Sequence, residues 1–211
     1  MKLQLAIDTL NLSDAIRLVD NLYDYIDIIE IGTPLVLLEG TKATEVISNR
    51  FPEKEVLCDA KIMDAGSFES QIVFEAGADY VTVLGLADDK TIEECVDQAR
   101  KYGKKVVVDM INVENMDKRV PRLEEIGVDV IAVHTGVDRQ ELGRTPLDDL
   151  KEIKRYANKT KLAVAGGINE NTIDKYIKVK SDIIIVGSGI TSAELPQNSA
   201  EKMYKAIQKH R

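Results

Sequence analysis

Residues 105–134 read KVVVDMINVENMDKRVPRLEEIGVDVIAVH, and this one stretch sets the reading of the fold. A β-branched run from Lys105 to Val108 stops at Asp109, an amphipathic stretch follows, and Gly127 closes it before a second run from Val128 to Val133 stops at His134. Neither run alternates apolar with polar residues. Continuous apolar runs of this length are expected of strands covered on both faces, as in a parallel sheet built from βα units. Gly127 stands where a helix would need a left-handed residue to end, as do Gly77 and Gly103 before two other runs.

Six further runs of the same kind lie outside this stretch: Leu3 to Ile7, Ile26 to Ile31, Glu55 to Cys58, Tyr80 to Leu84, Leu162 to Ala165 and Ile183 to Val186. Eight strands spaced by about 26 residues, roughly one βα unit each, predict a single (β/α)8 TIM barrel over residues 1–211. An open doubly wound sheet is disfavoured, because the first βα turn, Ile7-Asp8-Thr9-Leu10-Asn11, lacks the G-x-G-x-x-G fingerprint. Ser13 is the expected N-cap of the first helix. No close sequence repeat accompanies the architectural one.

The chain holds 211 residues, 44% of them apolar, with 28 Lys+Arg against 36 Asp+Glu for a net charge of −8. That balance disfavours nucleic-acid and membrane partners, both of which attract positive charge. No apolar run is long enough to span a bilayer, and the opening residues read as a strand rather than a signal peptide. A cytoplasmic protein is expected. Cys58 and Cys95 are the only cysteines, so a disulfide framework or structural zinc is not expected.

In a TIM barrel the C-terminal strand ends face the active site, so the polar residues that stop each run become candidates. Asp8, Glu30, Asp59, Lys61, Asp109 and His134 occupy such positions. A single Asp after a strand is more often a cap or a terminator; six such residues aimed at one mouth are harder to explain that way. Four carboxylates together require compensating charge, from Lys61 and a divalent cation, for which Mg²⁺ suits an oxygen-only ligand set. Glycine loops after the last two strands, Gly166-Gly167 and Gly187-Ser188, supply the backbone donors that barrels use for phosphate. A phosphorylated small molecule is the expected ligand.

Asp59-Ala60-Lys61-Ile62-Met63-Asp64 is an Asp-x-Lys-x-x-Asp pattern after the third strand, and it resembles the orotidine 5′-monophosphate decarboxylase superfamily. The opening Leu-Ala-Ile-Asp8, the Ile-Glu30-Ile-Gly32-Thr33-Pro34 turn, His134-Thr135-Gly136-Val137-Asp138 and both glycine loops extend the resemblance over essentially the whole chain. Within the superfamily the chain looks closest to the branch of 3-hexulose-6-phosphate synthases and 3-keto-L-gulonate-6-phosphate decarboxylases. The decarboxylase pattern carries an arginine two or three residues past the histidine, where this chain has Val137, and tends to glutamate where it has Asp109. Both differences point to the synthase side, although Arg139 lies close by; the decarboxylase remains the alternative.

The resemblance implies a ribulose-phosphate-binding barrel and an aldol condensation of formaldehyde with D-ribulose 5-phosphate through an enediolate. It implies Glu30 and Asp59 as Mg²⁺ ligands, Lys61 as a second fixed positive charge, and Asp8 and Asp109 as residues that hold sugar hydroxyls and orient Lys61. His134 is the expected proton carrier, since imidazole exchanges protons near neutral pH. Asp64 would reach into the partner subunit's site, which implies a homodimer. A non-catalytic sugar-phosphate sensor is a more remote alternative, with little reason to keep these residues together. An epimerase on the same sugar should show several metal-binding histidines, and His210 lies in the tail.

Overall fold

The computed structural model describes residues 1–135 and 145–211. Val137, Asp138 and Arg139, on which part of the synthase argument turns, lie outside the described residues. Eight parallel strands close on themselves in sequence order: β1 Lys2–Ile7, β2 Ile28–Ile31, β3 Glu55–Ile62, β4 Tyr80–Leu84, β5 Lys105–Asp109, β6 Val130–His134, β7 Lys161–Ala165 and β8 Ile183–Val186. β1 pairs with β8 to complete the barrel. Among the described residues, no helix is long and apolar enough to cross a membrane.

Two apolar clusters follow from the alternation of side chains along each strand. Outward residues such as Leu3, Leu5, Ile29, Val81 and Val108 pack beneath the helices. Inward residues, among them Leu57, Val107, Val130, Ala163 and Ile183, form a smaller cluster inside the barrel. Helix ends at Gly103 and Gly127 adopt the left-handed conformation expected of them, with φ of 65° and 88°. Gly77 does the same two residues beyond the helix Gly66–Glu75.

Three local expectations need correction. The first helix, Leu12–Leu22, is capped by Asn11 rather than Ser13: the Asn11 side-chain oxygen accepts from the Asp14 N–H at 2.9 Å, which leaves Ser13 inside the first turn. β3 does not stop at Cys58 but continues to Ile62 through a register shift against β4. Asp59 and Lys61 therefore lie in a bulged strand, not beyond it. Lys61 takes a left-handed backbone, φ 48°, and its N–H donates to Thr82 Oγ1 at 2.9 Å. A bulge re-aims a side chain, and a strained non-glycine residue at such a point is commonly tied to function.

The third correction concerns where β2 and β6 begin. Asp27, Asp79, Asp129 and Asp182 each stand just before an even-numbered strand. Their carboxylates accept from the backbone N–H of Leu3, Val56, Val106 and Leu162, the second residue of each odd-numbered strand, at 2.8–2.9 Å. The chain thus carries a fourfold motif with a period of two βα units. It sits at the N-terminal face, where residues serve stability. The same aspartates delay β2 and β6, which begin two residues later than their apolar runs, at Ile28 and Val130.

Candidate active site

The C-terminal mouth of the barrel opens into a cavity of about 310 Å³. Asp8, Glu30, Asp59, Lys61, Asp109 and His134 all line it, as do Gly166, Gly167, Gly187 and Ser188. Ten of the eleven residues singled out in the sequence are therefore brought together. Asp64 is the exception: it is exposed, it does not line the cavity, and its carboxylate accepts from the N–H of Ala65 at 2.7 Å.

Lys61 is the centre of the arrangement. Its Nζ donates to Asp59 Oδ1 at 3.0 Å, to Asp59 Oδ2 at 2.8 Å and to Asp109 Oδ2 at 2.9 Å. Asp59 and Asp109 are buried, so each would be costly without this cation. Burial works against the Lys61 charge, but Asp109 and Asp59 outweigh it and hold the ammonium well above its ordinary pKa. Burial likewise works to raise Asp109, yet hydrogen bonding and charge from His134, together with Lys61, bring its pKa down to about 2. The same Asp109 oxygen lies 2.9 Å from His134 Nδ1. An ionised acceptor there requires the proton on Nδ1, so Nε2 is the nitrogen left for exchange with a ligand.

The other two carboxylates are held differently. Glu30 accepts from Gln4 Nε2 at 2.7 Å, and both residues are buried. Burial first, then the charge of Asp59, push the Glu30 pKa up to about 8. Asp8 is raised for the same two reasons. Gly32 makes room for Asp8, since a Cβ at this position would lie 2.1 Å from Asp8 Oδ1.

Glu30 and Asp59 fit the requirements of a divalent cation. Both are buried acids on neighbouring strands, and the rise in the Glu30 pKa registers positive charge in short supply. Among the described residues no group of three or more His, Cys, Asp and Glu side chains is arranged to hold a metal ion. Asp59 already accepts from Thr33 and Thr82 at 2.8 Å each, so a cation must share it with Lys61, which straddles both oxygens. Burial pushes the pKa of Cys58 up to about 11 and of Cys95 to about 12, and keeps both thiols out of the chemistry.

The two glycine loops are locked together, and Gly187 lies beside Asp8, whose Oδ2 would be 3.5 Å from a Cβ at that position. Gly189 packs so closely that a Cβ there would lie 2.1 Å from the carbonyl oxygen of Ile168. Gly187 begins the short helix Ser188–Thr191, whose first N–H groups have no intrahelical acceptor. Sequence reasoning assigned no role to Gln4, Thr33 and Thr82, although Gln4 and Thr82 are polar interruptions of apolar runs and such positions face the barrel interior.

The model of the orotidine 5′-phosphate decarboxylase / HUMPS family matches residues 1–203. A Bacillus subtilis protein named 3-hexulose-6-phosphate synthase is 47% identical over 207 residues, 98% of this chain and 99% of its own length. The crystal structure of 3-hexulose-6-phosphate synthase from Salmonella typhimurium is 50% identical, superposes with a TM-score of 0.98 and covers both chains fully. That of 3-keto-L-gulonate-6-phosphate decarboxylase from Vibrio cholerae is 28% identical with a TM-score of 0.87, over 100% of this chain and 98% of the other.

Proposed function

The chain belongs to the orotidine 5′-phosphate decarboxylase / HUMPS family, and from that premise we propose that it is an aldehyde-lyase joining formaldehyde to D-ribulose 5-phosphate to give D-arabino-hex-3-ulose 6-phosphate. The observation that carries the reading is the chain of contacts Asp59–Lys61–Asp109–His134 at one wall of a mouth whose other wall is two glycine loops. The synthase is preferred to the decarboxylase because relatives bearing the synthase name are 44–47% identical over nearly the whole chain.

His134 Nε2 takes the proton from C1 of the sugar, next to the C2 carbonyl, and the C–H electron pair enters the enediolate. Lys61 offsets the negative charge that develops on its oxygens. The enediolate then forms a bond from C1 to the carbon of formaldehyde, whose C=O π pair moves to oxygen and takes up a proton. Asp109 fixes the imidazole and Lys61 together, and Asp8 holds sugar hydroxyls. The phosphate rests on Gly166, Gly167, Gly187 and Ser188, and its binding energy places the distant reacting carbon. Mg²⁺, held by Glu30 and Asp59, would supply Lewis acidity to the sugar oxygens.

The assay that tests the activity supplies ribulose 5-phosphate, formaldehyde and Mg²⁺ and follows formaldehyde. Its disappearance is expected; none, together with CO₂ release from 3-keto-L-gulonate 6-phosphate, transfers the protein to the sister reaction.

The metal assignment has its own test. Glu30 titrates near 8 when folded against an ordinary 4.5, so the unfolded chain releases this proton first and folding stability falls as pH rises through that window. A cation that binds the ionised pair reverses the loss. The rise in melting temperature on adding Mg²⁺ is therefore expected to be larger at about pH 8 than at about pH 5, and to vanish in Glu30→Gln. An equal rise in the variant removes Glu30 as a ligand.

A homodimer, with Asp64 completing the neighbour's site, belongs to the same proposal. Leu37, Leu38, Met63, Phe68 and Leu86 are exposed on three consecutive βα units around Asp64, an apolar concentration suited to a second copy. Phe68→Asp is expected to give a monomer by sedimentation and to lower activity with it. A monomeric variant of full activity contradicts the shared site. A cytoplasmic location completes the picture, consistent with two buried, free thiols.

A further inference from the structure

The cavity does not end at the charged residues. Leu57 lies two residues below Asp59, Val107 below Asp109 and Ala132 below His134, so each apolar side chain shares the inner face with an active-site group one strand step deeper. These residues line the same cavity, with Val130, Ala163 and Ile183 beside them. Ala132 and Ala163, paired across β6 and β7, keep this level open.

The lower level offers little to water. Among the described residues it contains no charged side chain and few polar ones: Gln4, whose Nε2 donates to Glu30, and Tyr80, whose Oη donates to Glu55 at 2.9 Å. Beneath Tyr80 the barrel is sealed by Glu55, which pairs with Lys2 and Lys105. Lys105 Nζ also donates to Tyr80 Oη at 3.2 Å. A mainly apolar surface of this kind holds water weakly.

We propose that this inner chamber is the binding site of the second, uncharged substrate: a one-carbon aldehyde in its free carbonyl form, delivered to the reacting carbon from the barrel interior. The inference rests on the condensation proposed above. Formaldehyde in water is largely the hydrate CH₂(OH)₂, which must lose H₂O before its carbon can accept the enediolate electron pair. A mainly apolar chamber favours the smaller, less hydrated species, while the ribulose phosphate, fixed by its phosphate and hydroxyls at the mouth, has no apolar part to fill it. The bulkier Leu57, Val107, Val130 and Ile183 around it limit the space and exclude larger aldehydes.

Two variants and two reactions test this. Ala163→Val narrows the chamber and Val130→Ala widens it. In D₂O without formaldehyde, the C1 hydrogen of ribulose 5-phosphate is expected to exchange at the parent rate in Ala163→Val, while its half-saturating formaldehyde concentration rises roughly tenfold or more. Val130→Ala is expected to turn over acetaldehyde, which the parent protein does not. Unchanged formaldehyde saturation in Ala163→Val overturns the chamber, as does a proportional loss of exchange and condensation. Should Ala163→Val not fold, the absence of acetaldehyde turnover in Val130→Ala overturns it equally. No C1 exchange in the unaltered protein removes the condensation itself, a failure distinct from that of the chamber.

Discussion

Lys61→Met is expected to lower kcat by about 10²–10³ and to do so equally for C1 exchange and for condensation. Its ammonium contacts both buried carboxylates, Asp59 and Asp109, within 3.0 Å, and among the described residues it is the one Lys or Arg side chain that lines the cavity. Removal leaves two buried acids with a shared deficit of charge, a situation that costs several kcal/mol or forces protonation. The variant should therefore lose stability at neutral pH and recover part of it in acid. The sign follows from Asp109: its folded pKa of about 2 lies below the ordinary 3.8, so its stabilising contribution in the parent is full above 3.8 and fades as pH falls toward 2. Without Lys61 that contribution shrinks. Rates followed by formaldehyde loss, and melting temperatures between about pH 4 and pH 8, measure both effects. Exchange that survives the substitution would show that enediolate charge is met elsewhere.

His134→Asn should cost about 10²–10⁴ in the exchange reaction, the range for a positioned acid–base group. The contact between Nδ1 and Asp109 leaves Nε2 as the working nitrogen, and asparagine cannot carry a proton between substrate and solvent. The binding of ribulose 5-phosphate should be nearly unchanged, because the phosphate loops stand on β7 and β8. So should the Mg²⁺-induced rise in melting temperature, because His134 is not among the metal ligands proposed. Retained exchange in this variant would move proton transfer to Asp8 or to a partner residue.

Much of this arrangement is legible in the sequence because strands inside a barrel obey a simple grammar. A continuous Val/Ile/Leu run ends where the sheet ends, and the residue that ends it faces the mouth, which is how Asp8, Asp109 and His134 stand out. The bulge at Asp59–Lys61 is not legible in that way. Its geometry depends on Thr82 of the neighbouring strand, which accepts from the Lys61 N–H and donates to Asp59, and no property of residues 59–61 alone announces it. Thr33 is similar: its hydroxyl reaches both the carbonyl and the carboxylate of Asp59 from the preceding βα unit, a tertiary contact.

Other features were present in the sequence but masked. Asp27, Asp79, Asp129 and Asp182 recur at every second unit, yet each is one letter among variable neighbours, and only the shared hydrogen bond to the preceding strand makes them a motif. Gln4 and Thr82 interrupt apolar runs at inward positions, a signal of polar work inside the barrel. Asp64 marks the other limit. Its site, on the reading proposed here, is assembled from two chains, and the geometry of one protomer places it at the surface.

The most direct test of the account follows the carbon atom. Incubated with Mg²⁺, unlabelled ribulose 5-phosphate and ¹³C-formaldehyde, the protein is expected to place the label solely in the terminal hydroxymethyl carbon of a hexulose 6-phosphate, with the former C1 of the sugar becoming the adjacent carbon. Label that remains in formaldehyde and its hydrate, while C1 of the sugar still exchanges its hydrogen, would contradict carbon–carbon bond formation and leave this barrel as a proton-transfer enzyme of the same family.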